Sequence, residues 1–255
     1  MSRKNRSLTA WIVASVLTVA GAAFAYLFWF AGGSGEPSTE LTTPELAATT
    51  STASSVESTG VESPSTTSDT VAESAALTFV IDPDQSTARF ELDEVLNGSP
   101  KHVVGTTDQV AGQVRVDEAD ISSAEFSDIV VNARTLTTDS ERRDRAIRGP
   151  IVLDSANDAH ELITFSVTSV DGLDGSVQIG DTVDFTITGD LTVKGTTQEV
   201  TFDASVTFVD PGTIQGTATA EITRDSFGIG IPSVPSVADV TNEVLIGIDF
   251  VAFAG

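Results

Sequence analysis

The chain has 255 residues and carries 37 acidic against 13 basic side chains, a formal net charge of −24, with no cysteine and only two histidines. A charge of that size and sign excludes nucleic acid as a partner through long-range repulsion. The missing thiols exclude disulfides, thiolate metal sites, thiol nucleophiles and a lipid-modified cysteine.

Leu8 to Ala31 is an apolar run without a charged side chain, preceded by Arg3, Lys4 and Arg6. As a helix rising about 1.5 Å per residue it covers roughly 36 Å, enough to span a bilayer with some tilt. Residues 1–31 therefore read as a single-pass N-terminal transmembrane anchor. Ala23-Phe24-Ala25 also has the small-x-small spacing of a signal-peptidase site, and cleavage there would give a secreted protein. Against cleavage, Tyr26, Phe28, Trp29 and Phe30 form an aromatic cluster suited to the far membrane interface. The basic residues before the run, and the lack of any Lys or Arg from Gly32 to Ala88, orient the rest of the chain to the extracytoplasmic side of the cell membrane.

Residues 32–76 are rich in Ser, Thr, Ala, Glu and Pro and poor in large apolar groups. Such a stretch buries too little surface to offset its ordering entropy, so it is expected to be a disordered linker. As a flexible coil it would act as a tether reaching several tens of ångströms.

From residue 77 to residue 255 the apolar side chains alternate. Ala88, Phe90 and Leu92 share a face, as do Val110, Val114 and Val116, and Ile163, Phe165 and Val167. Val183, Phe185, Ile187, Leu191 and Val193 oppose Asp184, Thr186, Thr188 and Asp190, and the same period of two returns in Val200 to Phe208 and Val244 to Phe250. One wet and one dry face is the pattern of antiparallel sheet. Turns are expected at Asn97-Gly98, Asp171-Gly172, Asp174-Gly175 and Asp210-Pro211-Gly212. About eight to ten strands result, an all-β domain built as one sandwich or barrel. Gly112, Gly189 and Gly216 interrupt apolar faces where a strand bends or a neighbour comes close.

The segment ERRDRAIRGP, residues 141–150, concentrates positive charge in this acidic chain. Thr138 as N-cap with Glu141 three residues on has capping-box spacing, and Glu141/Arg145 and Asp144/Arg148 are placed for helix ion pairs. Gly149-Pro150 ends the run, so one short solvated helix is expected, with a cationic rim for an anionic headgroup as the functional alternative.

The segments RTLTTDSERRDRAIR, ITFSVTSV, GDLTVKGTTQEVTFD and ITRDSFGIG, with the strand after VADVTNEV, together resemble the YceI-like family of lipocalin-like β-barrel proteins. The matching positions are Arg143, Asp144 and Ile147; Ile163, Thr164 and Phe165; Gly189 through Gly195 with Thr197; and Arg224, Ser226, Phe227 and Gly228. The departures are Gln85-Ser86 for a His-Ser, His160-Glu161-Leu162 for an aromatic-Pro, Ser226 for an Asp, and an additional polar loop, LNGSPKHVVGTTDQ. The resemblance implies a single antiparallel lipocalin-like β-barrel with one short helix, and a role in binding a polyisoprenoid or similar long-chain amphiphile. On that reading Phe90, Phe165, Val183, Phe185, Ile187, Phe202, Phe227 and Phe250 line an apolar cavity, and Arg143, Asp144 and Arg224 mark its polar end. The ten phenylalanines of the domain, which contains neither tryptophan nor its polar handle, suit a greasy interior and equally a solid core.

Catalytic chemistry finds little support. His102 and His160 lack zinc or Ser-His-Asp spacing and are expected at the surface. Asp82 with Asp84, and Glu91 with Asp93 and Glu94, lack the pattern of a calcium loop and are expected to solvate a surface. The chain is therefore expected not to be an enzyme and to need no cofactor or metal. Two function classes follow. One is a membrane-tethered binding protein for an isoprenoid, quinone or related lipid. The other is a surface-exposed structural or partner-binding barrel without a ligand. A homodimer stays open in either class.

Overall fold

A computed structural model describes residues 32–46 and 76–255. The apolar run Leu8–Ala31 and residues 47–75 lie outside the described residues, and no described helix is long and apolar enough to cross a membrane.

The domain is all-β. Its strands are β1 (Leu77–Ile81), β2 (Thr87–Leu96), β3 (Ser99–Thr107), β4 (Val110–Ala111), β5 (Gln113–Val116), β6 (Glu125–Phe126) and β7 (Ile129–Asn132). A single α-helix, α1 (Glu141–Arg148), precedes β8 (Leu162–Asp171), β9 (Thr182–Val193), β10 (Thr196–Asp210), β11 (Thr213–Thr223), β12 (Val237–Ala238) and β13 (Glu243–Ala254). The strands form one antiparallel sheet in the order β4-β7-β8-β9-β10-β11-β13-β1-β5-β6. The hairpin β2–β3 branches from the first half of β13 through Leu245 to Asp249, while Ala252 to Ala254 of β13 pair with β1. The sheet curls strongly, because β4 and β5 are separated by Gly112 alone yet pair with opposite ends of the path. The result is a curled half-barrel with the helix at one end.

Sequence patterning accounts for the curl at named points. Gly189 in β9 passes so close to β8 that a Cβ there would overlap the Ser166 carbonyl and the Phe165 ring, next to an irregularity in the pairing between Val167 and Ser169. A side chain at 189 would push the two strands apart, which is why the apolar face is broken there. The Asn97-Gly98 turn has both residues at positive φ, +52° and +80°, the requirement of a tight two-residue hairpin.

One expectation fails here. The stretch read as an additional polar loop is mostly β3, paired with β2 from Ala88↔Thr107 to Leu96↔Ser99. Its inward residues Val103, Gly105 and Thr107 are buried but only one is strongly apolar, so the alternation carries too little hydrophobic contrast to be read. Gly105 is small because the Phe90 ring fills the space its side chain would take.

The segment expected to be a free tether also begins otherwise. Residues 32–46 have no regular secondary structure but lie against the domain, with Gly32 buried. The Arg148 Nε–H donates to the Gly32 carbonyl at 2.8 Å, and the Gln113 side-chain amide donates to the Pro44 carbonyl at 2.6 Å.

Candidate ligand cavity

The inner face of the sheet encloses a cavity of about 1080 Å³. Because inward positions recur every second residue, each long strand supplies several apolar side chains: Val183, Phe185 and Ile187 from β9, Phe202, Ala204, Val206 and Phe208 from β10, and Val244, Ile246, Ile248 and Phe250 from β13. One end is closed by a buried cluster around Phe79, Ile121, Phe208, Ile214 and Ala252. At the other end stand α1, the last residues of β2 and the irregular segment 229–236, and most of the charged lining side chains gather there.

Of the residues expected along the cavity, Phe90, Phe165, Val183, Phe185, Ile187, Phe202 and Phe250 line it. Phe227 does not. It is 1% exposed and packed into the solid cluster that includes Phe165, Leu191 and Phe202. Phe165 and Phe202 meet edge to face with ring centroids 4.9 Å apart, a geometry that locks both rings on the wall.

The expected polar end is arranged differently from the simple reading. Arg143 does face the cavity, but its guanidinium donates to Glu94 at 2.7 Å and also to Asp139, which in turn pairs with Lys101 at 2.6 Å. Burial works against the Arg143 charge, yet the hydrogen bonds and charges of Glu94 and Asp139 outweigh it and hold its pKa above the ordinary value. Lys101 first, then Arg143, lowers the pKa of Asp139. Glu94, expected on the solvated surface, is 7% exposed and points inward. The signal was present in β2, since 88, 90, 92 and 94 share one parity. A carboxylate continuing an apolar face implies a buried cation opposite it.

Asp144 orients neither arginine. Its Oδ1 accepts from the Thr138 N–H at 2.8 Å and the Thr138 hydroxyl at 2.6 Å, fastening the chain that leads into α1. The capping box is therefore replaced: Ser140 is the N-cap, without a side-chain cap bond, and the helix starts at Glu141. Of the two expected ion pairs along α1, Glu141/Arg145 forms at 3.7 Å, while Arg148 is 6% exposed and turns to Gly32. Arg224 lines the cavity and donates to the carbonyls of Thr241 at 2.9 Å and Ile229 at 3.3 Å, so it clamps the ends of the 229–241 segment.

The departures from the family pattern also acquire places. Ser86 links to β13, its hydroxyl accepting from the Val251 N–H at 3.1 Å. Ser226 closes its turn by donating to Thr223. Glu161, 3% exposed, accepts from the Asn132 amide at 2.8 Å and pairs with Arg134 at 3.2 Å. His102 is on the outer surface, bonded to Asp93 and then Glu91, which raise its pKa in that order. Among the described residues no group of three or more His, Cys, Asp or Glu is arranged to hold a metal.

Residues 79–252 match the family model described as the YceI-like domain. No curated protein matches the chain. Among solved structures the fold is similar to BcnA of Burkholderia cenocepacia, at 20% identity and a TM-score of 0.52 over 67% of this chain and 98% of that one. It is also similar to a polyisoprenoid binding domain from Saccharophagus degradans implicated in plant cell wall breakdown, at 12% identity and a TM-score of 0.54 over 70% of this chain and 99% of that one. Identities this low establish likeness of fold.

Proposed function

Since the chain belongs to the YceI-like domain family, we propose that it is an extracytoplasmic binding protein, tethered to the cell membrane by residues 8–31, that holds a polyisoprenoid, quinone or similar long-chain amphiphile. The observation that carries this reading is the cavity: about 1080 Å³ of space walled by Phe, Val, Ile and Ala, with charge concentrated at the α1 end. That volume slightly exceeds the roughly 300–1,000 Å³ typical of small-molecule sites. Each methylene moved from water into it contributes about 0.8 kcal/mol. A few isoprene units therefore reach about micromolar affinity, even after association costs. The polar end carries Arg143 already neutralised by Glu94 and Asp139, which suits a hydroxyl, carbonyl or other uncharged head better than a free phosphate.

The test is direct. The full-length protein is purified from its native host in mild detergent, extracted with organic solvent, and the extract is analysed by mass spectrometry. A long-chain isoprenoid or quinone near one per protein is expected. Ala218→Phe, which fills the cavity without adding charge, should cut the retained ligand at least tenfold while leaving thermal stability within a few degrees. An extract empty of amphiphiles, together with a large stability loss in that variant, would favour the packed structural barrel.

A further inference from the structure

We propose that residues 32–46 are a strap that seats the rim of the cavity on the membrane surface, so that ligand passes directly between bilayer and cavity. The proposal rests on the membrane-anchor reading of residues 8–31 and specifies what that anchor does.

The glycines that suggest a flexible spacer are required by contact. A Cβ at Gly32 would overlap the backbone carbonyl of Arg145, and one at Gly35 would crowd the Arg148 guanidinium. Gly33 and Gly35 have φ of +64° and +85°, a region that favours glycine. Past these, the Ser38 N–H donates to Glu161 Oε1 at 2.8 Å and the Ser38 hydroxyl to Glu161 Oε2. Pro44 then bonds to Gln113 at the start of β5. A buried arginine, a buried carboxylate and an ordered amide therefore fasten this segment at three points along its length. A free tether has no such partners.

Two consequences follow from where the ends lie. Gly32 rests on the C-terminal half of α1, beside Arg145, which lines the cavity, and the apolar run ends at Ala31. The rim and the end of the run are thus adjacent. At its other end the strap reaches Gln113 in β5, and the domain resumes at Leu77 in β1, paired with Val116 of the same β5. Pro44 and Leu77 thus meet the same β1–β5 pair, and the distance from Gly32 to the cavity is set by the contacts of residues 32–46.

The rim has the chemistry of a membrane-facing surface. Arg142, Arg143 and Arg145 of α1 stand at the mouth with Ile231, Pro232 and Val234, Ile231 being 36% exposed. Long guanidinium side chains beside exposed apolar ones suit the amphipathic boundary of a lipid surface. Glu94 and Asp139 pair with Arg143, and Glu141 with Arg145, so in a chain of net charge −24 this rim is close to neutral and meets lipid without the repulsion that the acidic surface would feel.

The test uses the full chain in vesicles of phosphatidylcholine and phosphatidylglycerol. A donor dye is placed at Ser233→Cys, possible because the chain has no cysteine, and acceptor lipid is placed in the outer leaflet. A twelve-residue Gly/Ser insertion adds about 20 Å of reach and is made either between Ala31 and Gly32 or after Ala48. The first insertion, and Gly32→Val, should lower energy transfer at least twofold, whereas the second should leave it unchanged. Equal effects from the two insertions, in protein that stays with the vesicles after alkaline extraction, would overturn the strap alone. Loss of the unaltered protein from the vesicles on extraction would instead overturn the anchor reading, and the proposal with it.

Discussion

Arg143 and Glu94 decide what the polar end of the cavity can offer a ligand. The guanidinium is 17% exposed and the carboxylate 7%, so each needs the other to offset its desolvation. Arg143→Gln should destabilise the protein by about 2–3 kcal/mol, the scale of a charge-assisted hydrogen bond whose partner stays buried. Arg142→Gln, at an exposed position of the same helix, should cost less than about 1 kcal/mol. The double variant Glu94→Gln/Arg143→Gln should regain most of the loss, because a neutral amide pair leaves no uncompensated charge. Chemical denaturation of the wild type, these three variants and the single variant Glu94→Gln measures this, and strictly additive losses in the Glu94/Arg143 cycle would show that the two residues act independently. Arg143 alone could be picked from the sequence, by resemblance. Glu94 was also legible, as a parity error in an apolar strand face, and reading β2 as a solvated acidic cluster concealed it.

Elements gain roles here that local pattern does not assign. α1 is eight residues of mostly charged side chains, yet it serves three tasks. Arg143 and Ile147 face the cavity, Asp144 fastens the incoming chain, and Arg148 holds the strap. At the strap's middle, Glu161 sets a pH limit. Burial raises its pKa, but hydrogen bonds from the Ser38 hydroxyl and N–H and from Asn132, with the charge of Arg134, bring the balance below the ordinary value. A carboxyl whose folded pKa is depressed contributes stability that is fully present above its unfolded value, about 4.3, and is lost as pH falls through the lower folded value. The strap should therefore hold unchanged from about pH 8 to pH 5 and loosen in stronger acid. The amide resonance of Ser38 reports this, because its N–H donates to the carboxylate. A shift of that resonance centred above the ordinary carboxylate range would contradict the assignment.

For the whole molecule, the net charge of −24 is a sustained cost to compactness. The acidic side chains are spread over outward strand positions, as at Asp184, Asp190 and Asp203, each exposed. Ions screen such exposed charges over about 10 Å at 0.1 M and about 3 Å at 1 M, while a buried pair such as Arg143/Glu94 is screened far less. Raising NaCl from about 10 mM to about 1 M should therefore raise the thermal midpoint by several degrees. A midpoint that fell with salt would mean that attractive surface pairs, such as Arg89 with Glu91 and Asp249, outweigh the general repulsion.

By itself the sequence determined the all-β class, the strand faces and the tight turns. Those depend on periods of two and on residues such as Asn97 and Gly98, whose backbone preferences are local. Of the eight positions that the resemblance assigns to a cavity, Phe90, Phe165, Val183, Phe185, Ile187, Phe202 and Phe250 face the space inside the sheet, because in strands inward parity and large apolar side chains coincide. Only the tertiary structure excluded Phe227 from the cavity: it sits in the turn Arg224–Phe227 after β11, where no alternation tells which way a ring points, and a ring packed in a solid wall is as apolar as one facing open space. Only it made a strand of Ser99–Thr107, where Phe90 supplies the apolar bulk that Gly105 lacks. It also turned GGSG from a spacer into a docking site. The partners of Gly32 and Ser38 are Arg148 and Glu161, more than a hundred residues away, and a contact at that separation leaves no trace in local composition.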